Sequence, residues 1–341
     1  MNHKISTYIF TGFLGSGKTT LLNQLLKDPA LAKTAVIINE FGEAGLDHLL
    51  VEKSDDQIIE LSNGCLCCTV RGQLVETLET MLQKKPDRII IETTGLADPV
   101  PVIQSLLKTP SLVDHINFGS MITVFDLVHG FKNLDNYEEA NKQILFADVI
   151  CLSKSDLVSN AAKHNAIEKL KGLNPNAKII DKNDFIKAPE FLEKSATQEI
   201  PLNQAEGHHH HTHDINIHNK NICCTTLRHD KPISKNTMDM FLDLLFSAHS
   251  QHMLRIKGLV NIEGSAAPLL IQGVGGSLGE PSMLPTWPSK DTSTRIIVFL
   301  ENMDADFVQR LFASFIGTPL IDTPDKQALT DNPLSILGVE K

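Results

Sequence analysis

Residues 12–19 read Gly12-Phe13-Leu14-Gly15-Ser16-Gly17-Lys18-Thr19 and fit the pattern G-x-x-x-x-G-K-[ST]. No other stretch of the chain constrains the fold so tightly. Such a loop works where a strand ends and a helix begins. Its glycines let the backbone curl so that successive N–H groups face phosphate oxygens, and the helix N-terminus adds its partial positive charge. The flanks meet this demand: Ile5–Thr11 is an apolar, β-rich run, and Lys18–Leu26 carries a helical pattern. Lys18 is expected to reach the β- and γ-phosphates, and the Thr19 hydroxyl to ligate Mg²⁺. Gly12, Gly15, Ser16, Gly17 and Thr20 complete the expected nucleotide-binding set.

The next 180 or so residues repeat this alternation. Strands are expected at Ala35–Asn39, Arg88–Glu92, Gly119–Phe125, Val149–Ser153 and Ala177–Asp181. Helices are expected at Gly72–Lys84, Val100–Leu107, Asn141–Phe146 and Asn160–Gly172. The β-α order predicts an α/β fold with a mostly parallel sheet covered on both faces, and near-continuous apolar runs such as Ile89-Ile90-Ile91 fit strands buried on both sides. Around Pro201–Lys220 the periodicity fails in a polar, histidine- and asparagine-rich segment that reads as a linker. A second pattern follows: strand Ile222–Leu227, helix Asn236–His249, strands Met253–Ile262, Leu269–Val274 and Arg295–Leu300, and a helix from Asp304 to Phe315. This predicts a smaller C-terminal α+β domain. The division is then 1–200, a linker at 201–221, 222–318, and a tail at 319–341. A chain of 341 residues suits two domains at about 150 each.

The net charge of −10 lacks the electrostatic footprint of a nucleic-acid binder. No apolar run approaches the roughly 18 residues of a membrane span, and Met1-Asn2-His3-Lys4 opens no signal-peptide pattern. A cytoplasmic protein is the expectation, with neither nucleic acid nor membrane as partner.

Three further features carry chemistry. Glu92 ends a buried strand and is the candidate acid for the metal beside the phosphates, with Thr93-Thr94-Gly95 as a turn next to the γ-phosphate. Ser153-Lys154-Ser155-Asp156 resembles N-K-x-D, with serine in place of asparagine. An aspartate accepts two hydrogen bonds from guanine N1 and N2, a donor pair that adenine lacks, and a lysine stem can lie along the purine face. Third, Cys65, Cys67 and Cys68 crowd into Cys65-Leu66-Cys67-Cys68. In a reducing compartment this reads as a metal site. Three thiolates suit Zn²⁺ and leave one tetrahedral position for another ligand. Cys151, in an apolar run, reads as a buried core thiol.

Thr11–Leu22, Asn39-Glu40-Phe41-Gly42-Glu43, Gly64–Cys68 with Thr69-Val70-Arg71-Gly72, and Glu92–Pro99 together resemble the CobW-type family of P-loop GTPases. The resemblance continues through Leu254–Gly258, Gln272-Gly273-Val274, Trp287-Pro288 and Ser293–Phe299, and the histidine-rich linker is also a family feature. It implies a P-loop NTPase domain, GTP with Mg²⁺ as substrate and cofactor, and a metallochaperone that carries zinc, or cobalt, to a metal-requiring client protein. Lys18, Thr19 and Glu92 then serve hydrolysis. Glu43 becomes the choice for a fourth zinc ligand, with Glu40 second. His208, His209, His210, His211 and His213 form a weak auxiliary metal run. Two positions depart from the family pattern: Ser153, and Gly275-Gly276 where relatives commonly carry histidine. A P-loop kinase or ATPase, a GTPase of cobalt or nickel metabolism, and a metal-storage or sensing module without turnover stand as alternatives.

Overall fold

The computed structural model describes residues 4–39, 58–61, 69–187, 192, 213–217 and 220–317. The N-terminal half is built on seven strands: β1 (Ile5–Thr11), β2 (Thr34–Asn39), β3 (Ile58–Leu61), β4 (Arg88–Glu92), β5 (Ile116–Asp126), β6 (Val149–Ser153) and β7 (Lys178–Asp181). They lie in the order β3-β2-β4-β1-β5-β6-β7, and every pair is parallel. The helices are α1 (Lys18–Leu25), α2 (Thr69–Gln83), α3 (Val100–Lys108), α4 (Pro110–Val113), α5 (Gly130–Asn136), α6 (Glu138–Leu145), α7 (Asn160–Leu173) and α8 (Lys182–Ile186).

Successive side chains of a strand face opposite ways, so the sheet needs cover on both sides. Ile90 of β4 packs with Phe10 and with Leu21, Leu22 and Leu25 of α1. Its neighbours Ile89 and Ile91 face the other layer, among Leu74, Leu78 and Met81 of α2 and Val102, Ile103 and Leu106 of α3. This double burial explains why the strand reads as an unbroken apolar run.

The C-terminal half contains β8 (His213–Ile217), β9 (Lys220–His229), β10 (Met253–Val260), β11 (Leu269–Val274), β12 (Ser277–Leu278), β13 (Ser282–Met283) and β14 (Thr294–Glu301), with α9 (Lys235–His249) and α10 (Ala305–Phe315). The sheet is antiparallel in the order β12-β11-β10-β14-β9-β8, with β13 on β11. On β14, Ile296, Val298 and Leu300 face α9 and α10, meeting Phe241, Leu245, Val308 and Phe312. Ile297 and Phe299 face the other way and pack with Ile222, Leu259, Leu270 and Leu145 of α6. The N-terminal domain therefore covers the second face of this sheet.

Some elements depart from the sequence reading. β5 starts at Ile116 rather than Gly119, because it pairs with β1 from Ile5 onward. α6 starts at Glu138, where Glu138 and Glu139 suit a first helical turn. The four-residue edge strand β3 and the short α5 were not anticipated; both are too brief for periodicity to reveal. Part of the segment read as a linker is the strand β8, paired with β9 through Ile215 opposite Ile222. Its alternation Asp214-Ile215-Asn216-Ile217 is the period of a strand, hidden in a polar context.

A buried charge cluster joins the two halves. Asp148, immediately before β6, accepts from Met121 N (2.9 Å), Lys257 Nζ (2.7 Å) and Arg255 Nη2. Arg255 also donates to Phe146 O. Burial alone would raise the Asp148 carboxyl, but the Arg255 and Lys257 charges and the Met121 N–H outweigh it and hold the carboxyl below its usual range. Burial, with Arg255 adding to it, pushes Lys257 down against the pull of Asp148. A depressed folded pKa means that the Asp148 contribution is complete above about pH 4 and is lost as pH falls through the lower folded value. Asp148→Asn keeps the volume but leaves two buried cations without a counter-charge. Its unfolding free energy in urea should fall by about 3 kcal/mol at neutral pH. A loss below about 1 kcal/mol would mean that the pairs behave as solvated ones.

Candidate functional site

Residues 12–17 join β1 to α1 with three left-handed glycines, Gly12 (φ 140°), Gly15 (φ 70°) and Gly17 (φ 91°). At Gly12 a Cβ would stand 2.3 Å from Val124 O, so no other residue fits this turn. Gly17 caps α1 in the left-handed conformation, which suits a nest of N–H groups at a helix N-terminus. The Lys18 ammonium folds back over the loop and donates to Gly12 O (2.9 Å) and Phe13 O (3.3 Å). Thr20 lies exposed in the first turn of α1.

β4 lies beside β1, so its carboxyl end delivers Glu92 to the same place. The Thr19 hydroxyl donates to Glu92 Oε1 at 2.6 Å, and Glu92 is buried. This hydroxyl–carboxylate pair is an all-oxygen donor set of the kind a hard cation such as Mg²⁺ takes, and the two residues fit such an ion. Beyond Glu92 the chain stays against the phosphate loop. Thr93 N donates to Phe10 O (2.9 Å), and Thr93 Oγ1 donates to Thr11 Oγ1 (2.8 Å). At Gly95 a Cβ would meet Leu14 N at 2.6 Å, so glycine permits the two loops to touch.

The Ser153–Asp156 turn, expected to read the base, is tied to the same loop. β6 ends at Ser153, whose hydroxyl sits 2.7 Å from Ser16 O and 3.2 Å from Phe125 O. The serine that replaces asparagine thus tethers this turn to the phosphate loop. Lys154 follows in the left-handed conformation (φ 56°), and its ammonium pairs with Asp126 Oδ2 at 2.7 Å. Asp156 comes next, exposed in a short 3-10 turn, Ser155–Leu157.

Asp126 was not singled out in the sequence. It is the last residue of β5, lies opposite Ser153 in the register, and is buried. Burial alone would raise its carboxyl. Lys154 and the Val128 and His129 N–H groups outweigh that and hold it below the usual carboxylate range. The only available signal was an acid closing an apolar strand, the same signal that marks Glu92.

Glu40, Glu43, Cys65, Cys67, Cys68 and His208, His209, His210 and His211 lie outside the described residues, and His213 opens β8. Among the described residues no group of three or more His, Cys, Asp or Glu is placed to hold a metal. Cys151, Cys223 and Cys224 are buried thiols outside any disulfide. Burial pushes the Cys151 and Cys224 thiols up to about 12, which keeps both protonated at neutral pH. The strands that lead toward the acidic and cysteine segments are placed, however. β2 ends at Asn39 and β3 at Leu61, both parallel to β1, hence on the sheet edge that carries the phosphate loop.

A phosphate loop at the carboxyl edge of a parallel sheet, a threonine–glutamate pair beside it and a lysine–aspartate turn tied to it define a nucleotide-binding protein of the P-loop type. Comparison with known proteins narrows this. Residues 6–181 match the family described as "CobW/HypB/UreG, nucleotide-binding domain", and residues 222–316 match "Cobalamin synthesis protein cobW C-terminal domain". The chain belongs to the CobW/HypB/UreG family. It is similar to the zinc chaperone YjiA of Escherichia coli, at 30% identity over 87% of this chain and 94% of that one. It is also similar to the zinc chaperone CobW of a Sinorhizobium species, at 28% identity over 92% and 98% of the two chains. Among solved structures, Zn(II)-bound YjiA from E. coli shares the fold, with a TM-score of 0.59 and 23% identity over 92% of this chain and 99% of that one.

The Asp126–Lys154 pair yields a test. Asp126→Ala removes the buried partner that fixes the lysine stem, and a charge-assisted bond of this kind is worth ~2 kcal/mol. Affinity for fluorescent GDP, measured by anisotropy, should fall ~10-fold or more. Unchanged affinity would show that Lys154 needs no anchor.

Proposed function

We propose that this protein hydrolyses GTP and uses the cycle to hold zinc and hand it to a client protein. The observation that carries this reading is the convergence on one sheet edge of the phosphate loop, Glu92, the Ser153–Asp156 turn, and the strand ends of β2 and β3. The segments leaving β2 and β3 bear Glu43 and Cys65-Leu66-Cys67-Cys68.

In this reading Lys18 turns from its loop carbonyls to the β- and γ-phosphates and stabilises the charge that develops as water attacks the γ-phosphorus and GDP leaves. The N–H groups of residues 12–17 hold the diphosphate in place. Thr19 and Glu92 would hold Mg²⁺, which would supply positive charge to offset that of the phosphates. Asp156 accepts the guanine N1 and N2 protons, while Lys154 covers the base, steadied by Asp126. Cys65, Cys67 and Cys68 supply thiolates to zinc, and Glu43 is the fourth ligand. Zinc is the cargo, and the kinship with zinc chaperones favours it over cobalt. His208, His209, His210, His211 and His213 act as a weaker capture run that raises the local metal concentration.

An ATPase or kinase built on the same loop is the reading to exclude. A site made to hydrogen-bond one base rejects the other strongly, because its polar group is otherwise left unpaired. GTP should therefore outcompete ATP by at least ~100-fold in a displacement assay, and Asp156→Asn should erase most of that margin. Lys18→Ala should abolish phosphate release from GTP. Equal affinity for ATP and GTP in the wild type would overturn the base assignment, and normal turnover in Lys18→Ala would overturn the phosphate site.

A further inference from the structure

The loop that follows Glu92 is held from outside the nucleotide site by two adjacent residues of α6. Gln143 is 1% exposed and donates through Nε2 to both Gly95 O (3.1 Å) and Ala97 O (3.1 Å). Its own carbonyl accepts from Thr123 Oγ1 of β5 at 2.6 Å, which fixes this turn of α6 to the sheet. Lys142 donates to Asp98 Oδ2 at 2.7 Å, and Asp98 Oδ1 accepts from Val100 N at the start of α3 (2.9 Å). The backbone from Gly95 to Asp98 is thereby anchored at three points.

Packing does not demand a glutamine here. Its helix neighbours Ala140 and Ile144 belong to an apolar cluster, and a buried amide in such surroundings is costly unless its hydrogens are bonded. Both amide hydrogens go to the same loop, which is the most a glutamine can donate. The peptide plane adds a consequence: with Gly95 C=O turned to Gln143, the following N–H, that of Leu96, points the opposite way. Gln143 thus sets the peptide orientation of a loop that starts at Glu92 and touches the phosphate loop at Leu14.

We propose that Gln143 is a positioning residue for GTP hydrolysis, with Lys142 as its partner. It holds the backbone of residues 95–98 in the arrangement that meets the γ-phosphate, without itself touching nucleotide. This rests on the GTPase reading above. The diphosphate and the base are gripped elsewhere, by residues 12–19 and 153–156, so the clamp acts on the triphosphate state and on the chemical step, and GDP does not depend on it.

The test is Gln143→Met, which keeps the length and packing and removes both donated bonds. In Mg²⁺-containing buffer the full-length variant should lose about tenfold in kcat for phosphate release. Its affinity for a non-hydrolysable GTP analogue should fall about tenfold relative to its affinity for GDP, with GDP affinity itself within about twofold of wild type. A kcat within about twofold of wild type would overturn the proposal. So would a parallel fall in GDP affinity, analogue affinity and kcat, since that is what a merely loosened fold produces. Should Gln143→Met fail to fold, Lys142→Met reads the same loop from its Asp98 end at a half-exposed site. There kcat should fall about threefold with GDP affinity unchanged, and wild-type kcat would overturn the clamp. Wild-type protein that releases no phosphate from GTP overturns the GTPase reading itself, a result separate from every variant outcome.

Discussion

The parallel pairing of β1 with β4 on one side and β5 on the other is the constraint on which the rest depends. It puts the carboxyl ends of the three strands side by side, so the phosphate loop, Glu92 and Asp126 emerge next to one another. The site is then assembled from short bonds between neighbours. Thr19 reaches Glu92, Thr93 reaches Thr11, and Ser153 reaches Ser16. These bonds bring the phosphate loop, the Thr19–Glu92 pair and the Ser153–Asp156 turn together. The cost is a set of strands buried on both faces, which is why apolar residues dominate β1, β4 and β6.

The C-terminal domain is fastened to this platform rather than tethered beside it. The apolar contact of β14 and β10 residues with Leu145 runs alongside the Asp148–Arg255–Lys257 cluster. Gln104 of α3 adds bonds to Gly275 O and Ser277 Oγ. α3 also begins at Val100, whose N–H donates to Asp98 Oδ1 at the end of the loop that leaves Glu92. One helix thus touches both the nucleotide-side loop and the C-terminal sheet. Gly275 serves that contact through its backbone carbonyl.

Much of the fold was legible because its signals are local and strong. The phosphate loop, the double-faced strands and the amphipathic helices α3 and α9 announce themselves in runs of 15 residues or fewer. What escaped was set by pairing or by contact. β3 is too short to show a period, and β8 hides its alternation inside a polar stretch. Within the site, Lys18, Thr19 and Glu92 could be named from spacing. Asp126 closes an apolar strand as Glu92 does, but its partner Lys154 lies 28 residues away, and Gln143 carries no such signal, with its partner Gly95 48 residues away. Ser153 looked like a departure in the sequence; the geometry shows that its hydroxyl makes the tether to Ser16.

The proposed cycle requires that nucleotide state and zinc affinity be coupled, and the segments carrying the expected zinc ligands leave β2 and β3 on the edge where the γ-phosphate would sit. A ligand shifts an equilibrium only by its differential affinity for two states, and the coupling is reciprocal. The most direct measurement is a competition titration of zinc against a chromophoric chelator. It would use the full chain loaded with Mg²⁺ and either a non-hydrolysable GTP analogue or GDP, with Cys67→Ser in parallel. The account predicts tighter zinc binding in the triphosphate form, by about tenfold, and loss of that difference in Cys67→Ser. Identical zinc affinity in the two nucleotide states would contradict it.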